Sequence, residues 1–183
     1  MYALGFAAYS GTGKTTLLEK IIALLRQQGL RVATVKHAHH DVDIDQPGKD
    51  SWRHRQAGAS QVLLVCDRRM ALVQEFDAPQ DMDVHAMLAQ LDPRMDWALV
   101  EGFKQGDLPK IELWPAPAPG KPVRPLQCLT DPGVLALATD APEALPQPLP
   151  AHVALLDVNQ PEAIVAWMLA QGERLQYVPP KIS

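Results

Sequence analysis

At 183 residues the chain is long enough to bury one sizeable core, and an apolar content of 47% excludes a disordered polypeptide. A formal net charge of −4 gives no bulk attraction to nucleic acid or to an anionic membrane, so neither is an expected partner. Cys66 and Cys128 are too few for a disulfide framework and read as buried thiols; with no basic leader and no apolar run of membrane-spanning length, a cytoplasmic protein is expected.

Residues 3–9 are short and apolar and end in a glycine-containing loop, the pattern of a buried strand. In residues 15–28, Leu18, Ile21, Ile22 and Leu25 recur at helical spacing, polar side chains occupy the other side, and Gly29 stops the helix. A β-branched run over 30–36 completes a strand–helix–strand unit, which builds parallel sheets. Residues 37–49 are polar and carry Pro47-Gly48, so a loop is expected, followed by a short helix over 50–57. The extended segments 61–66 and 70–76 flank Asp67-Arg68-Arg69 and predict an antiparallel hairpin. Val84, Met87, Leu88 and Leu91 lie at i, i+3, i+4 and i+7 behind Asp81 and Asp83, a second amphipathic helix.

Residues 97–100 form a fully apolar strand that stops on Glu101-Gly102, and the alternating stretch 108–114 predicts another. Five prolines in residues 114–125 predict a loop or extended arm, because proline has no N–H for a sheet ladder. Late core strands are expected at 134–138 and 153–156, and a last helix at 161–171 with proline in its first turn. The expected architecture is α/β, a mostly parallel sheet flanked by helices with an added hairpin. One domain over residues 1–172 and a loose tail over 173–183 are expected.

Chemistry concentrates after the first strand, in Ser10-Gly11-Thr12-Gly13-Lys14-Thr15-Thr16. A phosphate chain needs many donors and a positive field in a small space. Glycines let successive backbone N–H groups curl inward, and the following helix adds its dipole. Lys14 would reach the β- and γ-phosphates and the Thr15 hydroxyl would ligate magnesium. The full pattern has glycine where this chain has Ala8, so the first turn of the loop must keep φ negative. Glu101, at the carboxyl end of an apolar strand, stands where open parallel sheets bind ligands and is a second candidate magnesium ligand. The run His37-Ala38-His39-His40-Asp41-Val42-Asp43-Ile44-Asp45 is dense in potential ligands, yet has none of the fixed spacings of a known metal site; a solvated loop and a metal site both stay open. Lys36, Lys49, Arg53 and Arg55 offer positive charge to a phosphorylated partner or belong to a solvated face. No water-positioning glutamine stands out, and Arg53 or Arg55 is a candidate arginine finger.

The runs Phe6-Ala7-Ala8-Tyr9-Ser10-Gly11-Thr12-Gly13-Lys14-Thr15-Thr16, Lys36-His37-Ala38-His39-His40-Asp41, Asp45-Gln46-Pro47-Gly48-Lys49-Asp50-Ser51, Ala57-Gly58-Ala59 and Val100-Glu101-Gly102-Phe103-Lys104 together resemble the MobB family, the molybdopterin-guanine dinucleotide biosynthesis adapter proteins. The resemblance extends to about Gly172 and is weakest across the proline-rich segment. It implies a P-loop NTPase fold, GTP and magnesium as ligands, slow GTP hydrolysis in which Lys14 takes part, and a homodimer. Its implied partners are the guanylyltransferase that joins GMP to the molybdenum-bound pterin, and the molybdopterin cofactor itself. The strand ending at Glu101 is also similar to that of dethiobiotin synthetase, where the matching glutamate holds magnesium; Asp50 is the best match for a further aspartate ligand of that relative. An ATP-dependent small-molecule synthetase or kinase of that type, and a GTPase metallochaperone with a metal in the histidine loop, are the rival functions.

Guanine presents two adjacent donors, N1–H and its 2-amino group, which one carboxylate accepts together. Adenine would leave that carboxylate buried and unpaired, at a cost of about 1–3 kcal/mol or more. An aspartate after a late core strand is therefore the expected base reader: Asp140 first, Asp157 next, each with a turn-forming role as the plain alternative.

Overall fold

In the computed structural model the chain runs β1 (Tyr2–Ala8), α1 (Lys14–Gln27), β2 (Val32–Lys36), α2 (Asp50–Gln56), β3 (Gln61–Val65), β4 (Met70–Gln74), α3 (Val84–Leu88), β5 (Trp97–Glu101), β6 (Lys110–Leu113), β7 (Val134–Thr139), β8 (Ala154–Asp157) and α4 (Pro161–Ala170). The structure describes residues 1–9, 11–38, 44–103, 105–117, 120 and 122–180. It divides into two compact units, one of Met1–His37 with Val84–Ser183, the other of Ala38–Asp83.

The first unit is built on a six-stranded sheet in the order β2-β5-β1-β6-β7-β8, every pairing parallel. The order reflects the hydrophobic pattern, since strands buried on both faces read as continuous apolar runs and belong in the middle of a parallel sheet. On one face, α1 sets Leu17, Leu18, Ile21 and Leu25 and α4 sets Ile164, Val165 and Met168 against Leu4, Phe6, Leu99, Ile111 and Leu113. Ile21 and Leu25 are fully buried, and each contributes about 1.5–3 kcal/mol through removal from water. The other face packs Ala3, Ala98 and Val100 beneath Val84, Leu88 and Leu108. Among the described residues no helix is long and apolar enough to cross a membrane.

Two expectations need correction in this unit. The helix expected to reach Leu91 ends at Leu88. Gln90 and Leu91 bond back only three residues, to Met87 and Leu88, and Pro93 disfavours helical backbone at Asp92. Residues 175–177, expected in a loose tail, are packed: Leu175 is buried in the main core, Gln176 bridges Tyr2, and Tyr177 N–H donates to the Met1 carbonyl. β6 is interior, with Lys110 and Glu112 as buried as Ile111 and Leu113. Lys110 Nζ lies 2.7 Å from Asp131 Oδ2 and also donates to the Gly106 carbonyl, while the Glu112 carboxylate accepts from Gln127 and Cys128 N–H, both at 2.8 Å. Pairing is what lets two charges occupy a central strand.

In the second unit β3 and β4 form the expected antiparallel hairpin, Val65 opposite Met70 and Gln61 opposite Gln74. Arg55 holds this unit together, bonding Asp45 and Glu75, and the Ser51 hydroxyl donates to Asp45. Cys66, expected to be buried, is exposed: its N–H closes the hairpin turn onto the Arg69 carbonyl, which puts it at the tip. Cys128 is buried as expected; burial first, and the nearby Glu112 carboxylate second, push its thiol up to about 12.

Candidate nucleotide site

β1 delivers the chain to the carboxyl edge of the sheet at Ala8, and the backbone then turns into α1. Gly13 is the residue before the helix, left-handed at φ 76° and ψ 10°, a conformation that a side chain would strain. No described residue other than glycine has positive φ, so Ala8 keeps the negative φ required of it. The Thr12 hydroxyl donates to the Tyr9 carbonyl at 2.9 Å and closes the loop on itself. Ser10 lies outside the described residues. The first N–H groups of α1 have no acceptor within the helix, which makes its start a site for an anion.

A cavity of about 270 Å³ lies at this turn, lined by Tyr9, the residues Gly11 to Thr16 of the loop and helix start, and two strand ends, Lys36 and Glu101. Strand order explains the last two. β5 lies between β1 and β2, with Phe6 and Lys36 both in register with Glu101. The Glu101 carboxylate stands 3.2 Å from Lys14 Nζ and 3.7 Å from Lys36 Nζ. Lys14 and Glu101 are each about 15% exposed, so their attraction is less screened than a surface pair's, whereas Lys36 is largely in solvent. The turn after Glu101 admits only glycine: Gly102 has φ 111°, and a Cβ there would lie 2.4 Å from the His37 carbonyl oxygen. His37 N–H in turn donates to the Glu101 carbonyl at 2.8 Å, and its ring stacks on Phe103. The β2 and β5 ends are thus clamped together beneath the cavity.

Chemically this is a pocket of backbone donors with two lysines, one carboxylate and the hydroxyls of Thr15 and Thr16. Thr15 and Glu101 are hard oxygen donors on one cavity, a set that suits magnesium. The remaining candidates are dispersed. Asp140 follows β7 at the same edge of the sheet, exposed, and accepts from Ala116 N–H at 3.4 Å. Asp157 ends β8 and is engaged by Asn159 N–H and the Gln160 amide, the turn-forming role. Asp50 opens α2 in the second unit, as an exposed residue. His39, His40, Asp41 and Asp43 lie outside the described residues. Arg55 is committed to Asp45 and Glu75 within its own unit, and Arg53 is exposed.

One cation beside the loop escaped the sequence reading. Arg124, from the proline-rich arm, lies with its guanidinium carbon 4.7 Å from the centre of the Tyr9 ring. Its only signal in the sequence is that Lys121 and Arg124 are the sole charges among five prolines. A larger cleft of about 660 Å³ opens over Ala7 and Glu112. The carboxylates of Glu112 and Asp131 there already serve Gln127, Cys128, Gly133 and Lys110, so we assign the ligand chemistry to the smaller cavity.

The chain is similar to known proteins. The family described as "Molybdopterin guanine dinucleotide synthesis protein B" (MobB) matches residues 3–140. The molybdopterin-guanine dinucleotide biosynthesis adapter protein of Escherichia coli (strain K12) is 42% identical over 174 residues, covering 92% of this chain and 94% of the relative. The adapter protein of the same name from Haemophilus influenzae is 44% identical over 158 residues, covering 86% and 82%. Among solved structures, a crystal structure of molybdopterin-guanine biosynthesis protein B superposes with a TM-score of 0.67 at 22% identity, covering 92% and 99% of the two chains, and Bacillus subtilis MobB with 0.66 at 21%, covering 97% and 100%. These last two share the fold of this chain, and the sequence matches show that it belongs to the MobB family.

Proposed function

We propose that this protein is a GTP-binding adapter in molybdopterin-guanine dinucleotide biosynthesis. Its place in molybdenum cofactor biosynthesis follows from family membership; the nucleotide, the metal and the partners are our reading of the site. The observation that carries it is the 3.2 Å pair of Lys14 and Glu101 inside the cavity of the loop. In the free protein the carboxylate holds the lysine in the place that a phosphate chain would take. A bound triphosphate would draw Lys14 to its phosphates, and Glu101 and Thr15 are the residues that would then hold magnesium. Magnesium supplies charge neutralisation on the phosphate oxygens; loop N–H groups and Lys14 hold and orient the chain. Asp140, at the same edge of the sheet, is the candidate reader of guanine. Hydrolysis is slow, the protein works as a cytoplasmic homodimer, and its partners are the guanylyltransferase that attaches GMP to the pterin and the molybdopterin cofactor.

Calorimetric titration of GTP with magnesium into the wild type and Lys14→Ala tests this. Wild type is expected to bind with a stoichiometry near one per chain. The variant is expected to lose at least about 100-fold in affinity while keeping its circular dichroism spectrum, because a charged group's hydrogen bonds to phosphate are worth about 1.5–3 kcal/mol each. Equal affinities would remove the proposal.

A further inference from the structure

We infer that Arg124 is a phosphate-binding residue of the nucleotide site, brought to it by the proline-rich arm; the inference rests on the reading that the loop holds a nucleotide. Three observations converge. The arm is fastened at its base: Trp114, buried directly after β6, donates its Nε1–H to the Arg124 carbonyl at 3.0 Å. β6 runs beside β1 with Leu113 opposite Ala8, so this fastening sets Arg124 next to the residue that enters the phosphate loop. The guanidinium lies on the ring of Tyr9, 4.7 Å from its centre, and Tyr9 itself lines the loop cavity. Finally, Arg124 Nη1 is buried and has no hydrogen-bond partner among the described residues.

The last point is the informative one. A guanidinium keeps its charge and carries five in-plane N–H donors. Stacking on Tyr9 satisfies the face of the cation but none of those donors. A buried donor left unmade costs about 1–3 kcal/mol, more for a charged group, so such an atom is retained where an acceptor arrives later. Charge is paired elsewhere in this unit: Lys110, more deeply buried, meets Asp131 and the Gly106 carbonyl. The acceptor missing at Arg124 is anionic by the chemistry of the group, and the anion that this corner of the fold is shaped for is a phosphate. Tyr9 serves as the platform. Rotation of the guanidinium in its own plane re-aims Nη1 while the stack is kept, and the ring it lies on lines the cavity. Proline on both sides, at 122 and 125, limits the backbone freedom lost when the arm holds this pose.

The test titrates GTP and ATP, each with magnesium, into the wild type, Arg124→Gln, Arg124→Lys and Lys14→Ala. Thermal melting without nucleotide accompanies each protein. Arg124→Gln is expected to weaken GTP and ATP alike by roughly 10- to 100-fold, the range of a charge-assisted hydrogen bond. Arg124→Lys should lose less, because it keeps the charge and gives up only the planar stack. Titration stoichiometry separates loss of folded protein, which lowers the number of sites, from loss of contact, which lowers affinity. GTP affinity within twofold of wild type in Arg124→Gln overturns the inference and makes the arginine a clamp for the arm. A collapse of the GTP preference over ATP also overturns it, assigning the arginine to the base. A wild type that binds no GTP, or a Lys14→Ala that binds as wild type does, is instead a failure of the loop reading.

Discussion

In the proposed function Glu101 does two things in turn, holding Lys14 in the free protein and serving magnesium in the loaded one. Both depend on its charge and neither on its size. Glu101→Gln keeps the volume and loses the charge. The expected outcome is a loss of most of the magnesium dependence of GTP binding, with about tenfold or smaller change in binding measured in chelator, where the glutamine no longer competes for Lys14. Identical magnesium titrations for the two proteins would reject the role. That Lys14, Thr15 and Glu101 would share one cavity was legible in the sequence because each is tied to a local signal: a glycine-spaced loop, or the last residue of an apolar strand. Arg124 was not, because its partner ring lies 115 positions away (124 − 9) and no local pattern announces a stack. Cys66 was misread for a related reason. An apolar run suggests burial, but a hairpin tip exposes whatever residue it turns on.

Elements followed from periodicity wherever one pattern dominated, as in α1, β1, β5 and α4, with boundaries shifted by a residue or two. β6 was the hard case. Its alternation of charged and apolar residues is the signature of a half-exposed strand, yet it is buried on both faces. Local sequence cannot show that, because the compensating groups come from the turn around Gln127 and from Asp131. The Lys110–Asp131 pair gives an element-scale prediction. Burial alone would raise the Asp131 carboxyl; bonds from Lys110, Gly133 N–H and Gln127 together outweigh it and hold the group below its ordinary 3.8. A depressed folded value means that the unfolded chain takes up the proton first as pH falls. The stability that Asp131 contributes is therefore complete above about pH 5 and lost as pH drops through the folded value. Asp92, held at about 2 by bonds from Arg94, titrates in the same acid range. The contribution of Asp131 is thus read as a difference between proteins. Asp131→Asn should melt lower at pH 7, by about 3–5 kcal/mol if Lys110 finds no other anion, and should lose less further stability than wild type between pH 5 and pH 3. Parallel acid-melting curves would show that the pair is not coupled to folding.

At the scale of the molecule, the question is whether the chain is a catalyst or a carrier of bound nucleotide. The described residues that line the loop cavity offer four ionisable side chains, Lys14, Lys36, Glu101 and the Tyr9 phenol. The Glu101 carboxylate is engaged by two ammonium groups, Lys14 at 3.2 Å and Lys36 at 3.7 Å. Arg55, one of two arginines suited by sequence to assist hydrolysis, is held by Asp45 and Glu75 within the second unit. A loop that binds and orients a triphosphate without also positioning water and a transition-state arginine would leave most of the barrier in place. Unassisted P-loop proteins turn over at about 10⁻⁴ to 10⁻² s⁻¹, against about 1–1,000 s⁻¹ for dedicated enzymes. Single-turnover and steady-state measurements on the purified protein with GTP and magnesium are expected to fall in the lower range, and Arg124→Gln to reduce the rate mainly through affinity at subsaturating GTP. Added guanylyltransferase would accelerate the reaction only if it inserts the missing groups. Turnover above about 1 s⁻¹ by the isolated chain would mean that its own residues complete a hydrolytic site, and the adapter reading would give way to an enzyme.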